Sequence, residues 1–197
     1  MSPEPRRLLS ALELEGIVSR LGAEISAEHP DGVVLVGVLK GSVCFLADLA
    51  RRIEVPCAID LLALSAYAMG APRVQVLKDL DLDLTGLDVV LVEDIVDTGL
   101  SARYVLDHLA HHGARRVRLC SLLDRPSRRI LPLEIDYLGV EAPDDFLVCY
   151  GLDLGERFRN LPEILVLSDG GTTSESSELE GQLYPGAQPP RTPLRSV

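Results

Sequence analysis

The stretch VVLVEDIVDTGLS, residues 89–101, runs four aliphatic residues into Glu93, Asp94, Asp97, Thr98 and Ser101. A run of charges is usually a solvated face, but here the order of the residues points to a ligand. A helix that opens at Ser101 presents free N–H groups and the positive end of its dipole, and Thr98, Gly99 and Ser101 add hydroxyls and close backbone approach. That half of the stretch suits a phosphate. Glu93 and Asp94 would repel a phosphate, but carboxylates accept hydrogen bonds from sugar hydroxyls. Together the two halves describe a sugar phosphate.

Rival motifs fail on spacing. The chain has neither the G-x-x-x-x-G-K-[ST] of a nucleoside triphosphate loop nor the G-x-G-x-x-G of a dinucleotide site. A haloacid dehalogenase phosphatase wants two aspartates two apart, whereas Asp94 and Asp97 are three apart. Asp79, Asp81 and Asp83 imitate the start of an EF-hand loop, yet Leu84 and Val90 stand where its Gly and Glu belong, so the run reads as a solvated turn.

The elements that must position this stretch follow from the hydrophobic pattern. Ser10 to Glu13 is a capping box, and Leu14, Ile17, Val18, Leu21 and Ile25 repeat at helical spacing, which predicts a helix over 11–28. VVLVGV, 33–38, is a continuous aliphatic run, as in a strand buried on both faces. A helical pattern resumes over 43–53, strands are expected at 57–64, 74–77, 88–92, 116–122, 135–140, 146–149 and 163–167, and a helix over 101–112. Strands alternating with helices imply an α/β domain, an open, mostly parallel twisted sheet with flanking helices. Ligands of such sheets sit beyond the carboxyl ends of the strands, where Glu93 to Ser101 fall. From Ser168 the composition turns to Gly, Ser, Thr, Glu and Pro; the expectation is a domain over 1–167 and a disordered tail over 168–197.

Composition narrows the function further. With 47% hydrophobic and 25% charged residues the chain is an ordinary globular one, and no apolar run approaches the ~20 residues of a membrane span. The start lacks a signal-like apolar segment, so the expected location is cytoplasmic. A net charge of -11 gives no footprint for nucleic acid, so a polyanionic ligand must be met by local cations, metal ions or backbone N–H groups. Cys44, Cys57, Cys120 and Cys149 lie far apart and read as reduced core residues.

At this point a family resemblance becomes visible. VVLVEDIVDTGLS resembles the phosphoribosyl-diphosphate signature of the type I phosphoribosyltransferases. VGVLKGS, VLKDLD, SLLDRPSRR and PDDFLVCYGLDLGERFRNLP, in this order and spacing, are similar to the bacterial hypoxanthine-guanine phosphoribosyltransferases, and the match covers residues 17–167. The resemblance implies the type I fold with a small hood, and transfer of a 5-phosphoribosyl group from 5-phosphoribosyl 1-diphosphate to a 6-oxopurine, with Mg2+ required. Hypoxanthine and guanine would give IMP and GMP, and the enzyme would be a homodimer or homotetramer in purine salvage. A non-catalytic regulator on the same fold, or transfer to a different base, are the alternatives.

Residue by residue, the resemblance assigns Glu93 and Asp94 to the ribose hydroxyls and Asp97, Thr98, Gly99 and Ser101 to the 5-phosphate. Asp97 is also the implied general base at purine N7. Lys40 and Gly41 fall in a loop that carries a non-proline cis peptide and meets pyrophosphate, as does Arg159. Asp153 matches a magnesium ligand, with Glu93 and Asp94 nearby. Phe146 would stack on the base, the Leu147 backbone would pair with its edge, and Arg125 stands where a lysine usually donates to the purine 6-oxygen. The catalytic loop reads SAYAMGAPR, so Ala66 replaces a serine while the catalytic Tyr67 is kept. Cys149 replaces a common glycine, which implies a narrower base pocket.

Overall fold

The computed structural model describes residues 5–65, 75–167 and 173–184. A short strand, β1 (Arg6–Leu9), leads into α1 (Ala11–Glu28). The capping box forms: Glu13 N donates to Ser10 Oγ at 3.3 Å and Ser10 N donates to the Glu13 carboxylate at 2.8 Å, satisfying two otherwise orphaned amides. Leu14, Val18, Leu21 and Ile25 are buried along one stripe, as their spacing predicts.

Six further strands and two helices build the main layer: β2 (Val33–Leu39), α2 (Val43–Ala50), β3 (Cys57–Leu64), β4 (Val76–Lys78), β5 (Asp88–Val96), α3 (Leu100–His111), β6 (Arg116–Asp124) and β7 (Tyr137–Glu141), the strands forming a sheet of order β4-β3-β2-β5-β6-β7. Every neighbouring pair is parallel except β3 with β4. The aliphatic runs of β2 and β5 are buried on both faces. Leu35, Val90 and Val92 meet α1 and α2 through Leu21 and Phe45, whereas Val34, Val36, Val89 and Leu91 meet α3 through Val105 and Leu109. At about 0.8 kcal/mol per buried CH₂, these two clusters are the main source of stability.

β8 (Phe146–Val148) and β9 (Ile164–Leu167) join β1 in a separate antiparallel sheet of order β1-β9-β8, the small hood. β1 escapes sequence reading because RRLL is too short to show a period. Several boundaries also move; among them, α2 stops at Ala50, and β5 continues past Val92 because its ladder with β6 extends to Val96 opposite Asp124. Glu93 and Asp94 are therefore strand residues, and the turn begins at Asp97.

Two expectations are corrected. Composition predicts disorder from Ser168, but the structure describes a helix, α4 (Thr173–Leu183). Leu179 is buried against Val148, Phe158 and Leu165, Arg157 pairs with Glu180 at 2.5 Å, and Tyr184 stacks on Phe158. A single buried leucine and an ion pair with the hood anchor a segment whose own apolar content is low, and a composition count cannot register them. The four cysteines are all free, but only Cys120 and Cys149 are buried; Cys57 opens β3 in an exposed position. No helix among the described residues is long and apolar enough to cross a membrane.

Candidate active site

The carboxyl ends of β2 and β5 and the start of α3 surround a cavity of about 370 Å³ whose polar lining includes Glu93, Asp97, Gly99 and Ser101. Successive strand residues face opposite sides of a sheet. Glu93 accordingly lines the cavity, while Asp94 turns toward the loop after β2. There a Cβ built on Gly41 would lie 1.8 Å from Asp94 Oδ2, so any other residue would push the carboxylate aside. Glu93 is buried, and desolvation followed by the charge of Asp94 pushes its carboxyl well above the usual range. Burial raises Asp94 to about 6, against the lowering pull of backbone N–H groups and Arg159. Neither carboxylate has a cation in direct contact among the described residues.

The turn after β5 leads directly into α3. Gly99 caps α3 at φ +84°, in the left-handed region open to glycine, and Leu100 N donates to Thr98 Oγ1 at 3.3 Å. Thr98 O accepts from Ile130 N and Leu131 N at 2.9 and 3.1 Å, which fixes the turn against the loop after β6. Ser101 is exposed in the first helical turn. Asp97 is part-buried: its Oδ1 is shielded and has no hydrogen-bond partner, and its Oδ2 lies 3.6 Å from Arg125 Nη1 and 3.8 Å from Arg128 Nη1.

Arg125 is buried at the exit of β6. Its Nε donates to Pro143 O at 3.2 Å and its Nη2 to Asp145 O at 2.8 Å. Two arms of the guanidinium therefore hold the loop before Phe146, and the Nη1 arm turns to Asp97. Most of the guanidinium's donors are thus engaged within the protein. Phe146 is part-buried and Leu147 buried in β8, so the structure brings Asp97, Arg125 and the start of β8 together.

On the other side, the Leu39–Lys40 peptide is cis, as the resemblance implies. Lys40 and Arg159 are paired with acids of their own neighbourhood: Lys40 Nζ meets Glu156 at 2.9 Å, and Arg159 Nη2 meets Asp153 at 2.7 Å and Glu156 at 3.3 Å. Arg159 Nη1 also donates to Gly151 O at 2.6 Å. Gly151, at φ +97°, packs so closely on Gly41 that a Cβ there would lie 2.0 Å from Gly41 O.

Ala66 and Tyr67 lie outside the described residues. Sequence reading missed Glu156, which clamps two of the assigned cations, and Arg128, which faces Asp97; nothing in their spacing signals either role. It also misplaced the consequence of Cys149. This residue sits at φ +80°, which explains why glycine is common there, and its side chain is buried with Leu154, Phe158 and Leu165 in the hood. Burial pushes its thiol up to about 12, an inert core sulfur.

Glu93, Asp94 and Asp153 are hard oxygen donors at one end of the sheet; Asp94 is near enough to raise the Glu93 carboxyl electrostatically, and Asp153 the Asp94 carboxyl. Their chemistry suits a hard divalent cation such as Mg2+, although among the described residues the three do not converge to ligand distance of one another.

Residues 7–155 match the phosphoribosyl transferase domain. The hypoxanthine-guanine phosphoribosyltransferase of Bacillus subtilis is 40% identical over 164 residues, 81% of this chain and 91% of that protein. The hypoxanthine phosphoribosyltransferase of Salmonella typhimurium is 37% identical over 163 residues, 80% of this chain and 92% of that protein. A crystal structure of a hypoxanthine-guanine phosphoribosyltransferase from Bacillus anthracis superposes with a TM-score of 0.79 at 38% identity, covering 82% of this chain and 98% of that one.

Proposed function

The chain belongs to the phosphoribosyltransferases, and within them to the hypoxanthine-guanine enzymes, and from that premise we propose that it moves the 5-phosphoribosyl group of 5-phosphoribosyl 1-diphosphate onto a 6-oxopurine. The products are IMP or GMP and pyrophosphate, a purine-salvage reaction. The observation that carries this reading is the placing, round one cavity, of Glu93 with the strand-to-helix turn of Asp97, Gly99 and Ser101, while Asp94 faces the neighbouring Gly41 loop, neither acid having a direct cation among the described residues.

In the reaction the C1′ bond to pyrophosphate breaks as purine N9 bonds to C1′, and the base loses a proton from N7. Asp97 Oδ1, shielded and without a partner, is the acceptor we assign to that proton. Thr98, Gly99 and Ser101 hold the 5-phosphate at the positive end of α3. Glu93 and Asp94 accept from the ribose hydroxyls. Phe146 offers its ring to the base, the Leu147 backbone pairs with the base edge, and Arg125 positions that loop while turning its third nitrogen toward the 6-oxygen. Pyrophosphate meets the Gly41 backbone and displaces Glu156 and Asp153 from Lys40 and Arg159, exchanging internal ion pairs for ligand ones. Mg2+, held by Glu93, Asp94 and Asp153, supplies neutralisation of diphosphate charge when bound.

The test is incubation with labelled donor and Mg2+ against hypoxanthine, guanine, xanthine, adenine and uracil. Nucleotide formation from the 6-oxopurines alone is the expected result. Formation only from adenine or uracil, or none from any base, overturns it.

A further inference from the structure

At the far end of α3, about 10 to 16 Å along the axis from Ser101 by helical rise, three potential ligands converge that the reaction does not use. His108 Nε2 lies 2.7 Å from Asp79 Oδ1, and His112 Nε2 lies 4.0 Å from Asp79 Oδ2. The ligand atoms of the three residues all fall within 4.8 Å of one another. We propose that Asp79, His108 and His112 form a site for a divalent transition-metal ion, Zn2+ foremost, which clamps the last turn of α3 to the connection that follows β4.

Residues four apart on a helix share a face, so His108 and His112 present their rings together, with centroids 4.4 Å apart. His112 Nδ1 lies 2.9 Å from His108 O, and because a carbonyl can only accept, Nδ1 carries the proton there and Nε2 keeps its lone pair. This is the outer-shell contact that fixes a metal-ligating tautomer. Asp79 is oriented too, its Oδ1 accepting from Leu80 N at 2.9 Å. Ligand atoms round a tetrahedral Zn2+ sit about 3.3 Å apart, given bonds near 2.0 Å, so small side-chain shifts would bring the set to bonding distance. Binding moves the His108 proton from Nε2 to Nδ1 and replaces its hydrogen bond to Asp79 with two metal bonds.

One feature of the setting favours a cation. The carbonyl end of α3 carries the negative pole of the helix. Lys78 is adjacent, but its ammonium is engaged by Asp81 at 2.9 Å and Asp60 at 3.8 Å. Two imidazoles and one carboxylate are a borderline-soft set, better suited to Zn2+ than to Mg2+, and leave a fourth position for water. The Asp79, Asp81, Asp83 run, dismissed as an EF-hand, thus contributes one ligand to a site whose other two lie on a helix.

The test is calorimetric titration of the full chain with Zn2+ in the presence of millimolar Mg2+, which competes for the active-site carboxylates. One saturable Zn2+ site is expected, unchanged in Cys57→Ser and weakened by about 10-fold or more in His112→Ala and in Asp79→Asn. Zn2+ should raise the melting midpoint of the unaltered chain by about 5 °C when well above the dissociation constant, and leave His112→Ala unmoved. Far-ultraviolet circular dichroism establishes that each variant is folded, and His112→Gln replaces His112→Ala should that variant fail. No saturable binding, equal affinity in the histidine variants, or loss of the site in Cys57→Ser would overturn the proposal. None of these results depends on transferase activity.

Discussion

Strand β5 carries acids at both ends, and the two ends are treated in opposite ways. At its start Asp88 is almost fully paired: Arg115 Nε donates to Oδ1 at 2.8 Å, Arg116 Nη2 to Oδ2 at 2.8 Å, and His29 Nδ1 lies 3.0 Å away. The chain of contacts continues from His29 Nε2 to the Tyr137 hydroxyl at 3.2 Å, which donates to Glu28 at 2.8 Å. The Arg115 guanidinium first, with His29 and Arg116, holds Asp88 well below the usual carboxylate range. At its finish Glu93 and Asp94 are pushed the other way by burial with no direct cation. One strand thus has an ion-paired acid at the amino end and two buried acids without a direct cation at the carboxyl end. Unsatisfied charge costs stability and persists where a ligand supplies the missing partners.

If this division is right, variants at the two ends should separate activity from stability. The largest effect is expected from Glu93→Gln combined with Asp94→Asn. Two charge-assisted hydrogen bonds to ribose at about 1.5–3 kcal/mol each correspond to a loss of roughly 10²–10⁴-fold in kcat/KM. Steady-state kinetics would measure it, and retention of more than a tenth of the activity would break the comparison. Asp97→Asn should lower kcat by about 10²-fold or more while leaving the donor KM nearly unchanged, because an amide cannot take the N7 proton. An unaltered kcat would remove Asp97 from that role.

Arg125→Ala should act on the base side alone, raising the KM for 6-oxopurines by about 10–100-fold against a small change for the donor. The guanidinium holds Pro143 O and Asp145 O, so part of this loss will come from the loop before Phe146. Lysine at this position separates the two contributions: Arg125→Lys should recover base affinity if the contact to the 6-oxygen matters more than the loop. A KM change confined to the donor would show that Arg125 does not read the base.

How much of this was legible in the sequence depends on range. Contiguous features were readable: the capping box, the doubly buried strands and the strand, turn and helix of residues 89–101 each announce themselves within a few positions. The Asp88 network was not, because it joins His29, Asp88, Arg116 and Tyr137 from four separate elements, and each residue alone resembles an ordinary surface group. Glu156 was hidden for the same reason, since its partner Lys40 lies 116 positions away. α4 was lost because a few long-range contacts, not composition, dock that segment: Leu179 in the hood cluster, Glu180 with Arg157 and Tyr184 on Phe158. The resemblance supplied the Arg125 assignment by position, but only the fold shows that two of its nitrogens are committed to backbone.

At the amino end the expected effect is on stability. Asp88→Asn leaves Arg115 and Arg116 facing a neutral amide and His29 without its anion, so unfolding free energy should fall by about 3 kcal/mol. The kinetic constants should stay within twofold, since Asp88 lies at the opposite end of β5 from the cavity. Chemical denaturation and steady-state assays on the same preparation would check both. A variant that lost activity without losing stability would invert the division between the two ends.

The smallest effect is a pH dependence at Asp94. A carboxylate raised to about 6 on folding, from an ordinary value near 4, is protonated in the folded chain over a window where the unfolded chain has already ionised. The folded state binds more protons there, so the contribution is fully present below about pH 4, falls as pH rises, and is lost above about pH 6. The shift corresponds to roughly 3 kcal/mol if counted whole, but Asp94 is only part-buried, so about 1–2 kcal/mol is the expected size. Other groups titrate in the same range, and Asp94→Asn serves as the reference that cancels them. The variant should match the unaltered chain near pH 4 and exceed its stability by that margin near pH 7.5, when both are measured without Mg2+ or donor. Adding Mg2+ should narrow the gap at pH 7.5 by stabilising only the chain that keeps its carboxylate. A gap that is constant with pH would mean that Asp94 is already compensated, and the contrast between the two ends of β5 would then rest on Glu93 alone.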